Sequence, residues 1–292
     1  MENSKIAATV ILYNPENDVY ENIISYALEV DKLYIVDNSL KYNQELIQRL
    51  QQLQNIIYIN NNDNLGIATA LNIGCQNALK DGFQWILTMD QDSKFINFSH
   101  YISCWKKLKE DQNIAILAAN TNWNDSIQVP QEAECKTLEV ISAITSANIV
   151  NLQKYKEVDG FDDKLFIDLV DYDFSLKMQA INAKVLQLPS IYVKHSLGEV
   201  FHRKNLITRK LRSKIEHNPL RVYYFTRNYL YVAKKHRQHF PKQLGLLKTL
   251  NMLFIHQVTK IILYEDQKLK KLKAKFLGLL HYLSNKFGKY NF

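Results

Sequence analysis

The chain is 292 residues long, 47% hydrophobic and 23% charged, which excludes disordered and fibrous classes and allows one large domain with an appendage, or two domains. Its formal charge of +8 is unevenly held: residues 203–292 carry 21 Lys+Arg against 3 Asp+Glu, a local +18 that leaves −10 on the first 202. Three cysteines, Cys75, Cys104 and Cys135, are odd in number and lack metal-ligand spacing, which argues against a disulfide framework and for a reducing compartment; the N-terminal hydrophobic run is too short for a signal peptide or a membrane span.

The segment Ile6–Tyr13 is apolar and β-prone and stops at Asn14-Pro15, a strand followed by a turn. A helical stretch over residues 16–30 comes next, then a strand over Lys32–Asp37, a helix over Gln44–Leu53 and a third strand over Asn55–Asn60. After the polar cluster 60–64 and Leu65-Gly66, residues Ile67–Leu79 show helical periodicity, and Gln84–Met89 is the fourth strand. Strands alternating with helices imply right-handed crossovers and a mainly parallel sheet whose polar strand ends share one rim. That rim would gather Asn14, Asp37, Asn64, Gly66, Asp90 and Asp92. No G-x-G-x-x-G follows the first strand and no G-x-x-x-x-G-K-[ST] occurs anywhere, which argues against a dinucleotide dehydrogenase and a P-loop NTPase.

The fourth strand runs into Asp90-Gln91-Asp92. Two carboxylates at the carboxyl end of a strand suit a divalent ion and, through it, a substrate diphosphate, although the same spacing also occurs in solvated turns. Further along, 101–110 reads as helix, Ile114–Ala119 as strand, 121–134 with Trp123 and Pro130 as a surface loop, and Leu138–Ile144 as strand. Residues 158–174 then hold six aspartates, Asp159, Asp162, Asp163, Asp168, Asp171 and Asp173, a concentration of like charge that is costly unless solvated or arranged around a cation or a proton. The pattern turns helical at about Asp171, which is placed either as an N-cap or as a reactive carboxylate at a helix start. Two short strands, Lys184–Leu188 and Ile191–Val193, lead to His195, a structural histidine or a ligand.

The tail differs in character. Residues 218–237 mix Tyr, Phe and Leu with Arg and Lys at helical spacing, and Leu244–Tyr264 and Lys268–Phe287 continue as amphipathic basic helices. Lys248, His256 and Lys260 interrupt the first of these and lysines crowd the second, so neither is expected to span a membrane. Aromatics among basic residues fit helices lying on anionic lipid, with part of the stripe covering the main domain.

Together these residues resemble a family 2 glycosyltransferase of the GT-A fold, of the bacterial rhamnosyltransferase branch. The resemblance covers about residues 6–232 and is carried by Tyr13-Asn14-Pro15, Ile35-Val36-Asp37-Asn38-Ser39, Asn64-Leu65-Gly66-Ile67-Ala68, Ala70-Leu71-Asn72-Ile73-Gly74, Asp90-Gln91-Asp92-Ser93, Phe166-Ile167-Asp168-Leu169-Val170-Asp171, His195-Ser196-Leu197-Gly198 and Tyr223-Tyr224-Phe225-Thr226-Arg227-Asn228. It implies a GT-A catalytic domain over 1–202 with a basic helical extension over 203–292. It further implies that Asp37 contacts the nucleobase, with Asn14, Leu65 and Gly66 lining the nucleotide pocket. Asp92 would bind Mg2+ or Mn2+, Asp90 would lie nearer the ribose and diphosphate and share the metal, and His195 would be a further ligand. Asp171 matches the general base. Relatives carry an acidic residue just before that base where this chain has Val170, which keeps Asp168 and Asp173 open as alternatives. The implied reaction is inverting transfer of a sugar, L-rhamnose from dTDP-L-rhamnose, to a saccharide acceptor, expected to be lipid-linked, by an enzyme peripheral on the cytoplasmic face of the cell membrane. A UDP-sugar donor such as UDP-galactofuranose is the alternative on the same scaffold. A nucleic-acid-binding protein acting through the tail is the alternative from another class, and it leaves the aspartates of 159–173 unexplained.

Overall fold

A computed structural model describes residues 5–121, 134–195, 200–204, 211–215 and 218–290, the strands at 200–204 and 211–215 by their backbone. The chain divides into two compact units, Met1–Asp163 with Val170–Ser196, and Lys164–Leu169 with Leu197–Phe292. The first unit is built outward from β1 (Ala7–Leu12), six consecutive buried residues as expected of a strand covered on both faces. Then follow α1 (Val19–Ala27), β2 (Lys32–Asp37), α2 (Gln44–Leu50), β3 (Ile56–Asn60), α3 (Ile67–Lys80) and β4 (Trp85–Asp90). Strands β1–β4 are mutually parallel, with β1 between β2 and β4. Helix α3 lies directly against β1: a Cβ added to Gly74 would come 2.1 Å from Thr9 Oγ1. Close packing of this kind fixes where the helix begins, and therefore where Gly66 stands.

Beyond β4 come β5 (Ser93–Phe95), α4 (Phe98–Leu108), β6 (Ile114–Asn120), β7 (Leu138–Glu139), β8 (Asn148–Asn151), α5 (Leu152–Glu157), α6 (Val170–Ala180) and β9 (Lys184–His195). Among the described residues the sheet order is β3-β2-β1-β4-β8-β6-β9-β5, with β7 pairing β9. Strand β8 is antiparallel to both neighbours, and β6 and β9 are parallel. Four departures from the sequence pattern have physical causes. The strand expected over 138–144 pairs only at Leu138–Glu139, both exposed. Strand β8 has just two apolar residues and owes its place to tertiary bonds: Tyr101 Oη donates to the carbonyls of Leu117 and Ala147 and accepts from the Ile149 amide. The two short strands expected at 184–193 are one strand, because Pro189, which has no N–H to offer, falls where the β6–β9 register shifts. The fourth departure concerns the cysteines. Cys104 on α4 and Cys135 form a disulfide, against the expectation drawn from the odd count; residues 31 apart carry no local sign of their proximity. Cys75 is free and buried, and burial pushes its thiol up. Most of the loop expected over 121–134, with Trp123 and Pro130, lies outside the described residues.

The second unit contains the antiparallel pair β10 (Val200–Lys204) and β11 (Leu211–Ile215), then α7 (Pro219–His236), α8 (Pro241–Leu244), α9 (Leu246–Tyr264) and α10 (Lys268–Leu283). Asn218 caps α7 by accepting from the Arg221 amide at 2.9 Å, with Pro219 at the first helical position. Tyr223, Tyr224 and Ala274 form its buried centre, with Phe166, Ile167 and Tyr290 packed around them. Two of the tail's lysines are buried here: Lys271 pairs with Glu265 at 2.9 Å, and Lys275 donates to Gln257 at 2.7 Å, its ammonium pushed down to about 8 by desolvation. Helix α9, π-helical over Asn251–His256, is long and apolar enough to cross a membrane by length and composition only.

Candidate active site

Parallel pairing puts the carboxyl ends of β1, β2 and β4 on one rim, and short polar bonds lock it. Gln91, the middle residue of the Asp-x-Asp, clamps the turn after β1: its Oε1 accepts from the Tyr13 amide at 2.8 Å and its Nε2 donates to the Tyr13 carbonyl at 3.2 Å. Asn14, exposed and left-handed at φ 46°, donates its amide to Ser39 Oγ at 2.7 Å. Asp37 is fully buried at the end of β2, where Oδ1 accepts from the Ser39 amide at 2.8 Å and Oδ2 from Tyr58 Oη at 2.9 Å. Burial and this carboxylate push the Tyr58 phenol up. A nucleobase reaching Asp37 would have to use a remaining lone pair or replace Tyr58. Leu65 is 39% exposed; Gly66, at φ 87°, takes a left-handed backbone that favours glycine. Its amide donates to Asn64 Oδ1 and its carbonyl accepts from Asn38 Nδ2, tying the start of α3 to the end of β2.

Asp90, Asp92 and His195 converge: one ligating atom from each lies within 4.8 Å of the others. Their meeting follows from register, since β5 pairs antiparallel with β9 and sets Ser93 opposite His195. Two serines brace the group. Ser146 Oγ accepts from the Asp90 amide at 3.0 Å and donates to Ser93 Oγ at 2.7 Å, and Ser93 Oγ lies 2.8 Å from His195 Nδ1. Asp92 Oδ1 is 3.3 Å from the same nitrogen, yet it is a buried oxygen with no hydrogen-bond partner of good geometry. Desolvation, then the Asp92 carboxylate, pushes Asp90 up to about 6; Asp171 adds to the rise and His195 opposes it. Asp92 in turn raises His195. An orphaned buried carboxylate oxygen beside a second carboxylate and an imidazole is a donor set that fits a divalent cation.

The acidic segment disperses its charge onto separate partners. Asp163 accepts from Thr69 Oγ1 at 3.0 Å and Asn72 Nδ2 at 2.9 Å on α3. Asp168 forms a two-point ion pair with Arg221, and Asp173 is fully buried. Asp171 is half-buried, and its Oδ1 accepts from the Tyr172 amide at 2.8 Å. Because α6 begins at Val170, Asp171 lies inside the first turn, and the N-cap reading does not apply. Sequence reasoning missed Gln91, Tyr58 and Ser146. Only Gln91 carried a signal, its position between the aspartates.

Residues 10–152 match the model of the family "Glycosyl transferase family 2". The chain is similar to the dTDP-rhamnosyl transferase RfbF of Shigella flexneri, 28% identical over 291 residues and covering 95% of each chain. Among solved structures it resembles S. aureus TarS 1–349 in complex with UDP-GlcNAc, with a TM-score of 0.59 and 16% identity over 92% of this chain and 79% of that one. It also resembles GalNAc-T7 with UDP, GalNAc and Mn2+, with a TM-score of 0.58 and 14% identity over 85% of this chain; it spans 54% of that chain. Residues 10–152 thus match a glycosyl transferase family 2 domain, and the chain has the mixed α/β architecture of the GT-A glycosyltransferases it resembles.

Proposed function

We propose that this glycosyltransferase moves L-rhamnose from dTDP-L-rhamnose, with inversion, onto a hydroxyl of a lipid-linked saccharide in the synthesis of a bacterial surface polysaccharide. The observation that carries the reading is the convergence of Asp90, Asp92 and His195 on a rim that Asp171 also influences, since cleaving a sugar from a diphosphate needs charge neutralised on one side and a proton removed on the other. Similarity to RfbF over nearly the whole of both chains supports the donor. The named neighbours contain UDP or UDP-GlcNAc, which keeps a UDP-sugar such as UDP-galactofuranose as the second reading. Nucleotide release from a panel of dTDP-L-rhamnose, UDP-galactofuranose and UDP-hexoses tests the donor: dTDP-L-rhamnose should turn over fastest, and a UDP-sugar winning the panel would overturn the assignment.

Asp92, Asp90 and His195 would hold the Mg2+ or Mn2+ ion. When bound, such an ion neutralises negative charge on a diphosphate. The rest of the work belongs to the chain. Gly66, Leu65 and Asn14 would border the nucleotide, with Asp37 beneath them at the end of β2. Gln91 holds the β1 turn at a fixed distance from the carboxylate pair, and Ser93 and Ser146 fix the approach of the imidazole. Asp171 would take the acceptor hydroxyl's proton as that oxygen attacks the anomeric carbon opposite the departing nucleotide.

The second unit supports a lipid-linked acceptor. Leu246, Leu247, Ile255, Leu269, Phe276 and Leu283 are exposed along α9 and α10 beside the exposed Lys248, Lys268, Lys270 and Lys273. Apolar side chains interleaved with ammonium groups match the headgroup boundary of an anionic leaflet. Co-sedimentation should therefore be strong with phosphatidylglycerol-containing vesicles and weak with neutral ones. Retention by DNA or RNA with none by anionic vesicles would overturn the membrane assignment.

A further inference from the structure

Within the first unit, helix α4 carries a second meeting of metal-ligating side chains, and the proposed reaction uses none of them. His100 and Cys104 stand one turn apart on the same face of α4, and Cys135 comes to them from the segment ahead of β7. His100 Nε2 lies 3.8 Å from Cys104 Sγ, and one ligating atom from each of the three residues lies within 4.8 Å of the others. Cys104 is fully buried, whereas His100 and Cys135 are half-buried, so solvent reaches the group through these two. The two sulfurs are joined as a disulfide. A bond whose only task is to staple α4 to the next segment has no use for an imidazole beside its sulfur. An imidazolium there favours a thiolate at Cys104, and a half-buried Cys135 admits an attacking thiol; together they make the bond open to exchange. The two thiolates and the imidazole that remain after its opening are the donors of a tetrahedral site for a borderline-soft divalent ion.

We propose that His100, Cys104 and Cys135 form a zinc site in the dithiol state of the protein, and that disulfide and zinc are alternative links between α4 and the segment leading to β7. Opening is an exchange with a dithiol reductant. One thiolate of the reductant attacks Cys135 Sγ; the bond between the protein sulfurs breaks, Cys104 leaves as a thiolate beside His100, and a mixed disulfide remains at Cys135. The reductant's second thiol then displaces Cys135 and closes as a cyclic disulfide, so two electrons have passed to the protein and both cysteines are reduced. Zn2+ takes both sulfurs as thiolates, releasing the remaining thiol protons, with the neutral imidazole as third donor and a fourth position left to water. The spacing suits this. Zn–S bonds of about 2.3 Å and Zn–N bonds of about 2.0 Å in a tetrahedron set neighbouring donors roughly 3.5–3.8 Å apart, and His100 and Cys104 already stand at that span. The Cα atoms of the two cysteines are 5.3 Å apart, near enough for both sulfurs to reach one ion. Sulfur also sorts this site from the other: thiolates select zinc, whereas the carboxylates of Asp90 and Asp92 suit the harder Mg2+ and Mn2+. Cys75, buried on α3, has no part in the group.

The test uses the full-length protein, reduced with dithiothreitol and freed of it under nitrogen. Co2+ serves as the spectroscopic probe, because thiolate ligation gives a sulfur-to-metal charge-transfer band that the carboxylates and imidazole of the other site do not. The reduced parent should show this band, saturating at one equivalent of bound Co2+, and lose it on addition of Zn2+; the oxidised parent should show none. Cys104→Ser, Cys135→Ser and His100→Ala should each weaken Zn2+ binding at least about tenfold, and Cys75→Ala should leave the band in place. Because substitution of the buried Cys104 can unfold α4, a second measurement needs no change there: Zn2+ should slow iodoacetamide labelling of Cys135 at least about tenfold in the reduced parent, and far less in His100→Ala, as read by mass spectrometry. Oxidised glutathione should then release the ion, the two thiolates giving up two electrons to close the Sγ–Sγ bond as the oxidant departs as two glutathione thiols. A disulfide that dithiothreitol leaves intact in the folded protein, a reduced parent without the charge-transfer band, or a band that keeps full affinity in His100→Ala would each overturn the inference. So would labelling of Cys135 that Zn2+ does not slow.

Discussion

Asp171→Asn should lower kcat by about 10²–10⁴-fold, the usual worth of general-base assistance, while leaving dTDP and donor binding unchanged. The substitution keeps the size and polarity of the side chain and one oxygen that can accept from the Tyr172 amide, so α6 retains its first turn. What it removes is the ability to take up a proton. The two rival carboxylates behave differently. Asp173 is fully buried, so Asp173→Asn should be read mainly in the melting temperature, and Asp168→Asn breaks the pair with Arg221 and should act at most indirectly. Steady-state rates of the three single variants, beside calorimetry with dTDP, decide among them. Normal turnover by Asp171→Asn would remove it from the mechanism and return the choice to its neighbours.

Loss of the cation should be equally severe. Asp92→Ala, or treatment of the parent protein with a chelator, should abolish turnover and weaken dTDP binding by at least about tenfold; removing a ligand from a site of three protein donors leaves a shell that binds a hard ion poorly. Asp92→Ala also removes the carboxylate 3.3 Å from His195 Nδ1, so it takes away one donor and the group that raises another. The site also has a characteristic pH response. Desolvation and Asp92 hold Asp90 up at about 6, so below that pH Asp90 is protonated and a cation must displace the proton. His195, raised by Asp92, must also shed a proton to ligate, so calorimetric affinity for Mn2+ should fall as pH drops through the histidine and then through about 6, by up to about tenfold per unit for each proton displaced. Turnover that survives chelation, or an affinity indifferent to pH across this range, would refute the metal role.

The first half of the fold could be read almost residue by residue, because parallel strands buried on both faces are continuous apolar runs with polar ends: Lys32–Asp37 is a strand over the same six residues in pattern and in structure. The second half could not. Strand β5 is three residues long, and β8 is made by Tyr101 reaching across from α4, which no window of local sequence contains. The same division runs through the candidate site. Asp90, Asp92, Asp37 and Gly66 stand at strand ends or helix starts that periodicity marks. His195 was visible only as a histidine after a strand, since its approach to Asp92 depends on the Ser93–His195 register. The acidic cluster read as one costly feature, and its physical solution, with Asp163 on α3, Asp168 on Arg221 and Asp173 in the core, is tertiary throughout.

The Ser93–His195 pair joins residues 102 apart, and this separation orders events in time. The carboxylates are in place as soon as β4 pairs with β1, whereas the imidazole arrives only after β8, β6 and β9 have been laid down beside them. Such distant pairings are among the slow steps of folding, and during synthesis the N-terminal part emerges first. A nascent chain that has folded as far as β4 thus offers a cation two aspartates and no third donor. Tight metal retention would be acquired at the end of folding, as a property of the finished protein.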